Sequence, residues 1–301
     1  AVIAAFLANL GIALAKLVGF VLTRSASMLA ESIHSLADTG NQALLLLGAR
    51  RADRPPDAAH PFGYGPARYF WAFVVAMVLF MLGGVFAIFE GVQKLRTPHP
   101  IDAPVWAFAV LGFSIVLESL SFRTGLLAAN PLRGRRTWWQ FIRGTKNPEL
   151  PVVLLEDFGA LVGLVFALAG VTLAEVLHQP RFDALGSLAI GVLLVGVAIV
   201  LAIEMASLLI GESAAPDDVA TISAALVGAP SVRRLIHLRT QHLGPEDVLV
   251  AVKLEFDPGL SFADLAAAID VAEDELRSAY PAARLVFIEP DLYREPPADP
   301  S

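Results

Sequence analysis

The chain has 301 residues, 56% of them hydrophobic and 17% charged, with a mean hydropathy of +0.64. A soluble domain averages about 25% charged residues, so this composition excludes an ordinary soluble enzyme and a disordered chain. A net charge of −7 and the lack of any cysteine also exclude a nucleic-acid footprint, a disulfide framework, a thiolate metal site and a cysteine nucleophile.

Six apolar stretches follow in chain order, at roughly 2–22, 27–48, 69–92, 104–127, 151–176 and 184–210. Each reaches the roughly 20 residues that a helix needs to cross a bilayer core. The first is too long for a signal-peptide core, and the chain opens on Ala1 rather than Met, as expected if a short leader is missing. The loop after the second stretch carries Arg50, Arg51, Arg54 and Arg68. The loop after the fourth carries Arg133, Arg135, Arg136, Arg143 and Lys146. The opposite loops hold Arg24, Lys94, Arg96 and Arg181. The richer side is expected to be cytoplasmic, and an even number of spans places both termini there. Segment 128–150 mixes Trp138, Trp139 and Phe141 with its arginines, which suits either the lipid headgroup level or a solvated basic loop.

The charge balance changes near Gly211. Residues 212–301 hold 16 acidic and 7 basic side chains, against 13 and 15 in residues 1–211. The acidic part alternates in pattern. Residues 217–228 read as a helix, 232–240 and 248–256 as strands, 262–279 as an amphipathic helix and 284–289 as a third strand. The order α-β-β-α-β fits a small layered α+β domain.

Inside the spans, ionisable groups are costly and therefore informative. The second stretch contains Glu31, His34 and Asp38. His34 and Asp38 stand four apart, about 40° around one helix face, with Glu31 on a neighbouring part of it. An imidazole and a carboxylate one turn apart can hold a divalent ion from one side, and Zn²⁺ favours such N/O sets. The fifth stretch adds Glu156 and Asp157. Adjacent residues point about 100° apart, so the two are not expected to face one point equally well. His34, Asp38 and Asp157, with Glu156 as a fourth, make a cysteine-free candidate metal site. Because such ligands bind protons as well as metal, binding there is coupled to protons.

Ser27-Met-Leu-Ala-Glu-Ser-Ile-His-Ser-Leu-Ala-Asp38 resembles the second-helix signature of the cation diffusion facilitator family. His60-Pro-Phe-Gly-Tyr-Gly65 is similar to that family's following loop. The resemblance covers nearly the whole chain, and Val153-Leu-Leu-Glu-Asp157 is similar to the branch containing the mitochondrial zinc transporter of animals. It implies a homodimer in a lipid bilayer that exports Zn²⁺ or a related ion in exchange for protons. It carries the membrane site onto His34, Asp38 and Asp157. Val153 stands where the family usually has a histidine, and in that branch Glu156 is a candidate replacement ligand. A carboxylate in place of an imidazole makes the site harder and brings in Mn²⁺, Fe²⁺ and Co²⁺. Asp57 and His60 are weaker candidates for a loop metal site, whose usual second histidine is Tyr64 here. In the tail, Lys253 occupies a strand position that often carries histidine, so that domain is expected to serve mainly for dimerisation.

The sequence thus predicts an α-helical membrane protein. A six-transmembrane-helix bundle over 1–211 precedes a small α+β, ferredoxin-like and metallochaperone-like cytoplasmic domain over 212–295 and a tail over 296–301. The expected activity is secondary transport, with no prosthetic group and no nucleic-acid partner, in a bacterial inner membrane. The rival reading is a membrane-anchored metal sensor or scaffold, which would bind metal without moving it.

Overall fold

The computed structural model describes residues 2–295, with side chains from Leu10 onward. The expected tail at 296–301 lies outside the described residues. The chain resolves into two compact units. The first runs to Arg54 and resumes over Ala67–Ala206, and the second combines Pro55–Pro66 with the chain from Ser207.

The first unit is built from helices α1 (Val2–Thr23), α2 (Ala26–Ala52), α3 (Ala67–Val78), α4 (Phe86–Arg96), α5 (Pro104–Arg133), α6 (Trp138–Gly144), α7 (Glu149–Val176) and α8 (Arg181–Ile210). A π-helical segment, Leu79–Val85, joins α3 to α4 without a break. Among the described residues, four helical runs are long and apolar enough to cross a membrane: Ala67–Arg96, Pro104–Arg133, Glu149–Val176 and Arg181–Ile210. The apolar run described in α1 is shorter, Leu10–Thr23. α2 fails the same criterion for a physical reason. Its inward face is polar, with Ser27, Glu31, Ser32, His34, Ser35, Thr39 and Asn41 all buried. The outer surface is the reverse: Val18, Val105, Val116 and Ile203 are exposed, as suits a bundle whose solvent is lipid.

α1 and α2 are joined by the two residues Arg24 and Ser25. Arg24 takes a left-handed conformation at φ 52°, and Ser25 accepts a hydrogen bond from Met28 N–H as the cap of α2. α2, α7, α5 and α1 pack in a closed ring, each against the next. Where α4 meets α8, glycines bring the backbones together. A Cβ on Gly191 would lie 2.8 Å from Ile88 N and 2.9 Å from Gly84 O. The short α6 docks through Phe141 on Ala129 and Leu154, held by a reciprocal cap between Thr137 and Gln140. Arg133 and Arg143 lie over the Trp138 and Trp139 rings at 4.7 and 5.9 Å, so the basic and aromatic residues of this segment form one surface.

The second unit carries α9 (Pro216–Gly228), β1 (Val232–Gly244), β2 (Asp247–Phe256), α10 (Phe262–Ala279) and β3 (Ala283–Pro290). β1 pairs antiparallel with β2, and β2 pairs parallel with β3 through α10. Alternate residues of β2, Val248, Val250, Val252, Leu254 and Phe256, face Ile222, Leu226, Ala272 and Leu276 of the helices. That strict alternation is the mark of a sheet with one covered face. β1 runs on through His242 to Gly244, further than the pattern suggested, and the reversal is confined to Pro245 and Glu246.

Candidate metal centre

The ring of α1, α2, α5 and α7 encloses a cavity of about 20 Å³, room for a single water-sized occupant. It is lined by Ile12, Ser35, Asp38, Gln42, Glu118, Val153, Glu156 and Asp157. Four carboxylates from three helices thus face one small space. An ion entering it must exchange hydration water for protein oxygens.

Asp38 reaches this wall because it sits one turn after His34 on the polar face of α2. The two side chains are 3.5 Å apart between Nδ1 and Oδ1. His34 is fully buried, and neither of its ring nitrogens has a hydrogen-bond partner, nor has Asp38 Oδ1. Buried polar atoms left open in this way are sites for a ligand or proton that completes them. Glu156 is held by Asn41, whose Nδ2 donates to Oε1 at 2.6 Å. Asp157 Oδ2 accepts from Ser121 Oγ at 3.1 Å. The adjacent carboxylates therefore do line one cavity, despite their 100° offset, because each reaches toward a different neighbouring helix. Val153 lines the same wall and offers no ligand.

The structure brings Asp38, Glu156 and Asp157 together and sets His34 immediately behind Asp38. It gives Glu31 a different role. Its Oε2 accepts from the Lys16 ammonium at 3.2 Å, with both side chains fully buried. Lys16 also donates to Ser35 Oγ at 2.7 Å and to Glu118 Oε1 at 3.5 Å. Lys16 is the residue that sequence patterns passed over. A single lysine in an apolar stretch is itself the signal that could have found it. Among the described residues, no three His, Asp or Glu side chains stand close enough to grip one ion.

The loop candidates belong to the second unit. Asp57 accepts from the backbone N–H groups of Ala59 and His60 and from the Tyr64 hydroxyl. The Tyr64 bond, foremost, holds its carboxyl below the usual range. His60 stacks on Tyr64 with ring centroids 4.2 Å apart. Both residues are exposed and act as a loop cap. On the sheet, Lys253 faces His237 on one side and Glu289 on the other in the strand register. Its ammonium lies 2.9 Å from Glu289 and 3.3 Å from Asp291. The Glu289 hydrogen bond, foremost, pushes Lys253 up from the ordinary lysine range.

At the opposite end of the bundle from the α2–α3 loop, Asp183 closes a second buried cluster. It accepts from Ser25 Oγ at 2.6 Å, Ala26 N at 2.8 Å, Ser27 Oγ and Lys94 Nζ at 2.7 Å. Asp183, from the first turn of α8, thereby caps the N-terminus of α2, where a carboxylate suits both the open N–H groups and the dipole.

A helical membrane bundle with a carboxylate-lined cavity, followed by a small α+β domain, is an integral membrane protein of the cation-handling kind. Residues 2–210 match the family model of the cation efflux transmembrane domain, and residues 214–293 match that of the cation efflux protein cytoplasmic domain. The chain belongs to the cation diffusion facilitator family. It is 35% identical over 247 residues to the mitochondrial proton-coupled zinc antiporter SLC30A9 of Xenopus laevis, covering 80% of this chain and 44% of that protein. Against the cation-efflux pump FieF of Pectobacterium atrosepticum it is 27% identical, covering 88% and 83% of the two chains. Against the magnetosome protein MamB of Magnetospirillum gryphiswaldense it is 24% identical, covering 95% and 92%. The chain thus spans less than half the length of the antiporter it matches, and most of the other two.

Proposed function

We propose that the chain exports a divalent cation across its membrane in exchange for protons, with Zn²⁺ as the foremost substrate. The observation that carries this reading is the cavity between α1, α2, α5 and α7, into which Asp38, Glu156 and Asp157 converge with His34 behind them. The 35% identity to a protein named a proton-coupled zinc antiporter supports the same substrate. The carboxylate-rich ligand set keeps Mn²⁺, Fe²⁺ and Co²⁺ as alternatives.

In this mechanism Asp38, Glu156 and Asp157 bind the ion as carboxylates and His34 as neutral imidazole. Asn41 and Ser121 orient two of the carboxylates. The ring of four helices opens first to one face of the membrane and then to the other, by rocking around a fixed site. Protons arriving from the far side take the ligand positions and release the metal, because each ligand binds either a proton or the ion. Glu31 is taken up by Lys16, and Asp57 and His60 serve their loop, so none of the three is a principal ligand.

All six long helical runs span the membrane in this reading, α1 and α2 included, with residues 1–211 as the transmembrane domain. Residues 212–295 form a cytoplasmic domain through which two copies dimerise, supported by the match to a cytoplasmic-domain family. The asymmetry of basic loops places both termini in the cytoplasm. The chain's composition favours a bacterial inner membrane, and bacterial relatives such as FieF and MamB are matched over most of their length. An organellar inner membrane is the alternative, raised by the mitochondrial relatives.

The test is metal flux into proteoliposomes under an imposed pH gradient, comparing Zn²⁺, Mn²⁺, Fe²⁺ and Co²⁺. Gradient-driven flux in the wild type that is lost in Asp38→Ala and His34→Ala, with both variants folded, is the expected result. Metal binding without flux for any ion would favour the sensor or scaffold reading instead.

A further inference from the structure

The bundle interior holds five carboxylates near one another, Glu31, Asp38, Glu118, Glu156 and Asp157, and Lys16 among them. The Lys16 side chain is fully buried. An ammonium has three donors, and all three are spoken for: Ser35 Oγ at 2.7 Å, Glu31 Oε2 at 3.2 Å and Glu118 Oε1 at 3.5 Å. Two of these acceptors, Ser35 and Glu118, are also walls of the cavity. The third, Glu31, turns its remaining oxygen toward Gly163 of α7, where a Cβ would stand 2.5 Å from it. That oxygen has no hydrogen-bond partner. A tethered cation therefore sits directly behind the cavity and engages two of the five carboxylates.

We infer that Lys16 is a specificity-determining positioning residue, whose ammonium holds Glu31 and Glu118 out of the transported ion's coordination shell. The inference rests on the cavity being the substrate site. Its chemical logic is a count of ligands. With Lys16 in place, the ion meets His34, Asp38, Glu156 and Asp157, one nitrogen and three carboxylates. Zn²⁺ takes such four-coordinate N/O sets. Without the ammonium, Glu118 in the cavity wall and Glu31 behind it lose the cation they share and are free to turn toward the ion. They would then join the ion and supply an oxygen-rich, higher-coordinate shell. Such shells suit Mn²⁺, which prefers six oxygen ligands. A fixed positive charge behind the wall also keeps binding weak enough for release, so its loss should tighten binding while slowing turnover.

The experiment measures Zn²⁺ and Mn²⁺ twice on the same purified full-length proteins, as equilibrium binding and as flux in proteoliposomes. The proteins are the wild type, Lys16→Met, Lys16→Gln, Lys16→Arg and the double variant Lys16→Met/Glu118→Gln. In the neutral variants, the preference for Mn²⁺ over Zn²⁺ should rise by about tenfold or more, the scale on which groups outside the first ligand shell act. KM and kcat should fall together. Lys16→Arg, which keeps the charge, should stay near the wild-type ratio, and the double variant should move back toward it. A purely structural Lys16 would lower thermal stability in the neutral variants and leave the Mn²⁺/Zn²⁺ binding ratio unchanged, and that outcome overturns the inference. So does a wild type that binds Mn²⁺ more tightly than Zn²⁺, a result that requires no variant to fold. Loss of flux in the wild type with metal binding retained would overturn the transport reading, while the binding ratios would still decide the role of Lys16.

Discussion

The Lys94 ammonium donates to the Asp183 carboxylate at 2.7 Å, with neither side chain reached by solvent. The pair joins α4 to α8, and the same carboxylate caps α2 through Ser25, Ala26 and Ser27. Lys94 also donates to the Arg24 carbonyl at 3.1 Å, at the α1–α2 turn. One ion pair therefore ties together four helices.

Removing one partner of such a pair leaves an uncompensated buried charge, at a cost of roughly 3–5 kcal/mol. Asp183→Ala and Lys94→Met should each lower the unfolding temperature sharply in detergent, far more than Arg24→Ala, whose Asp102 contact is exposed and 3.9 Å long. A small shift in Asp183→Ala would show that the cluster does not hold the bundle end together.

Asn41 orients Glu156 from outside the ligand set. Its loss leaves the carboxylate free to swing, and such outer partners are typically worth about 10–100-fold in metal affinity. Asn41→Ala should raise the KM for the transported ion by about that factor, while Asn41→Asp should impair it through like charge. Titration of metal-dependent flux reads both.

Gly191 is where α8 meets the α3–α4 run. An alanine there would press its Cβ on the backbone of Ile88 and Gly84. Overpacking of this kind costs about 1–3 kcal/mol. Gly191→Ala should lower the unfolding temperature, whereas Gly196→Ala, with open space around its Cβ, should leave it near wild type.

Tyr280 gives the C-terminal domain a pH dependence. Partial burial, with the Asp218 carboxylate beside it, pushes its hydroxyl up to about 12. The folded domain therefore holds this proton more tightly than the unfolded chain, where tyrosine titrates near 10. The contribution is fully present below about pH 10 and is lost as pH rises through about 12. Unfolding of the domain, followed by circular dichroism, should become easier across that window in the wild type. In Tyr280→Phe that part of the slope should vanish.

Much of the fold was legible because lipid imposes a coarse rule. A run of apolar residues long enough to span stands out, and the β2 alternation of Val248, Val250, Val252 and Leu254 is equally plain. The His34–Asp38 pair was legible because four residues is one helical turn. The observed helices nonetheless run past their apolar stretches, α2 through Arg50 and Arg51 and α5 to Arg133, since a helix continues into the headgroup region where charge is welcome. What the sequence concealed was long-range pairing. Lys16 finds Ser35 and Glu118 at separations of 19 and 102 residues, and Lys94 finds Asp183 across 89. No periodicity within one stretch encodes such partners. Lys94 counts as a loop charge in a topology argument, yet it is buried. Glu156 and Asp157 reach different helices, Asn41 on α2 and Ser121 on α5, as their 100° offset dictates, and both still line the cavity.

The π-helical turn at Leu79–Val85 acts as a vernier on the third membrane crossing. A wide turn accommodates one residue more than an ideal helix would over the same rise, and every position downstream is rotated to match. Gly83 and Gly84 sit within this turn and face different partners, His34 and Leu194 on one side and Val195 on the other. Deleting one residue of this turn would let the helix close to its ideal repeat without shortening the apolar span below bilayer thickness. It would also turn Ala87, Gly91 and Lys94 away by a fraction of a revolution. The seat of Lys94 against Asp183 is in this sense set about ten residues upstream, and the length of this crossing is fixed by angular phase as much as by the thickness of the membrane.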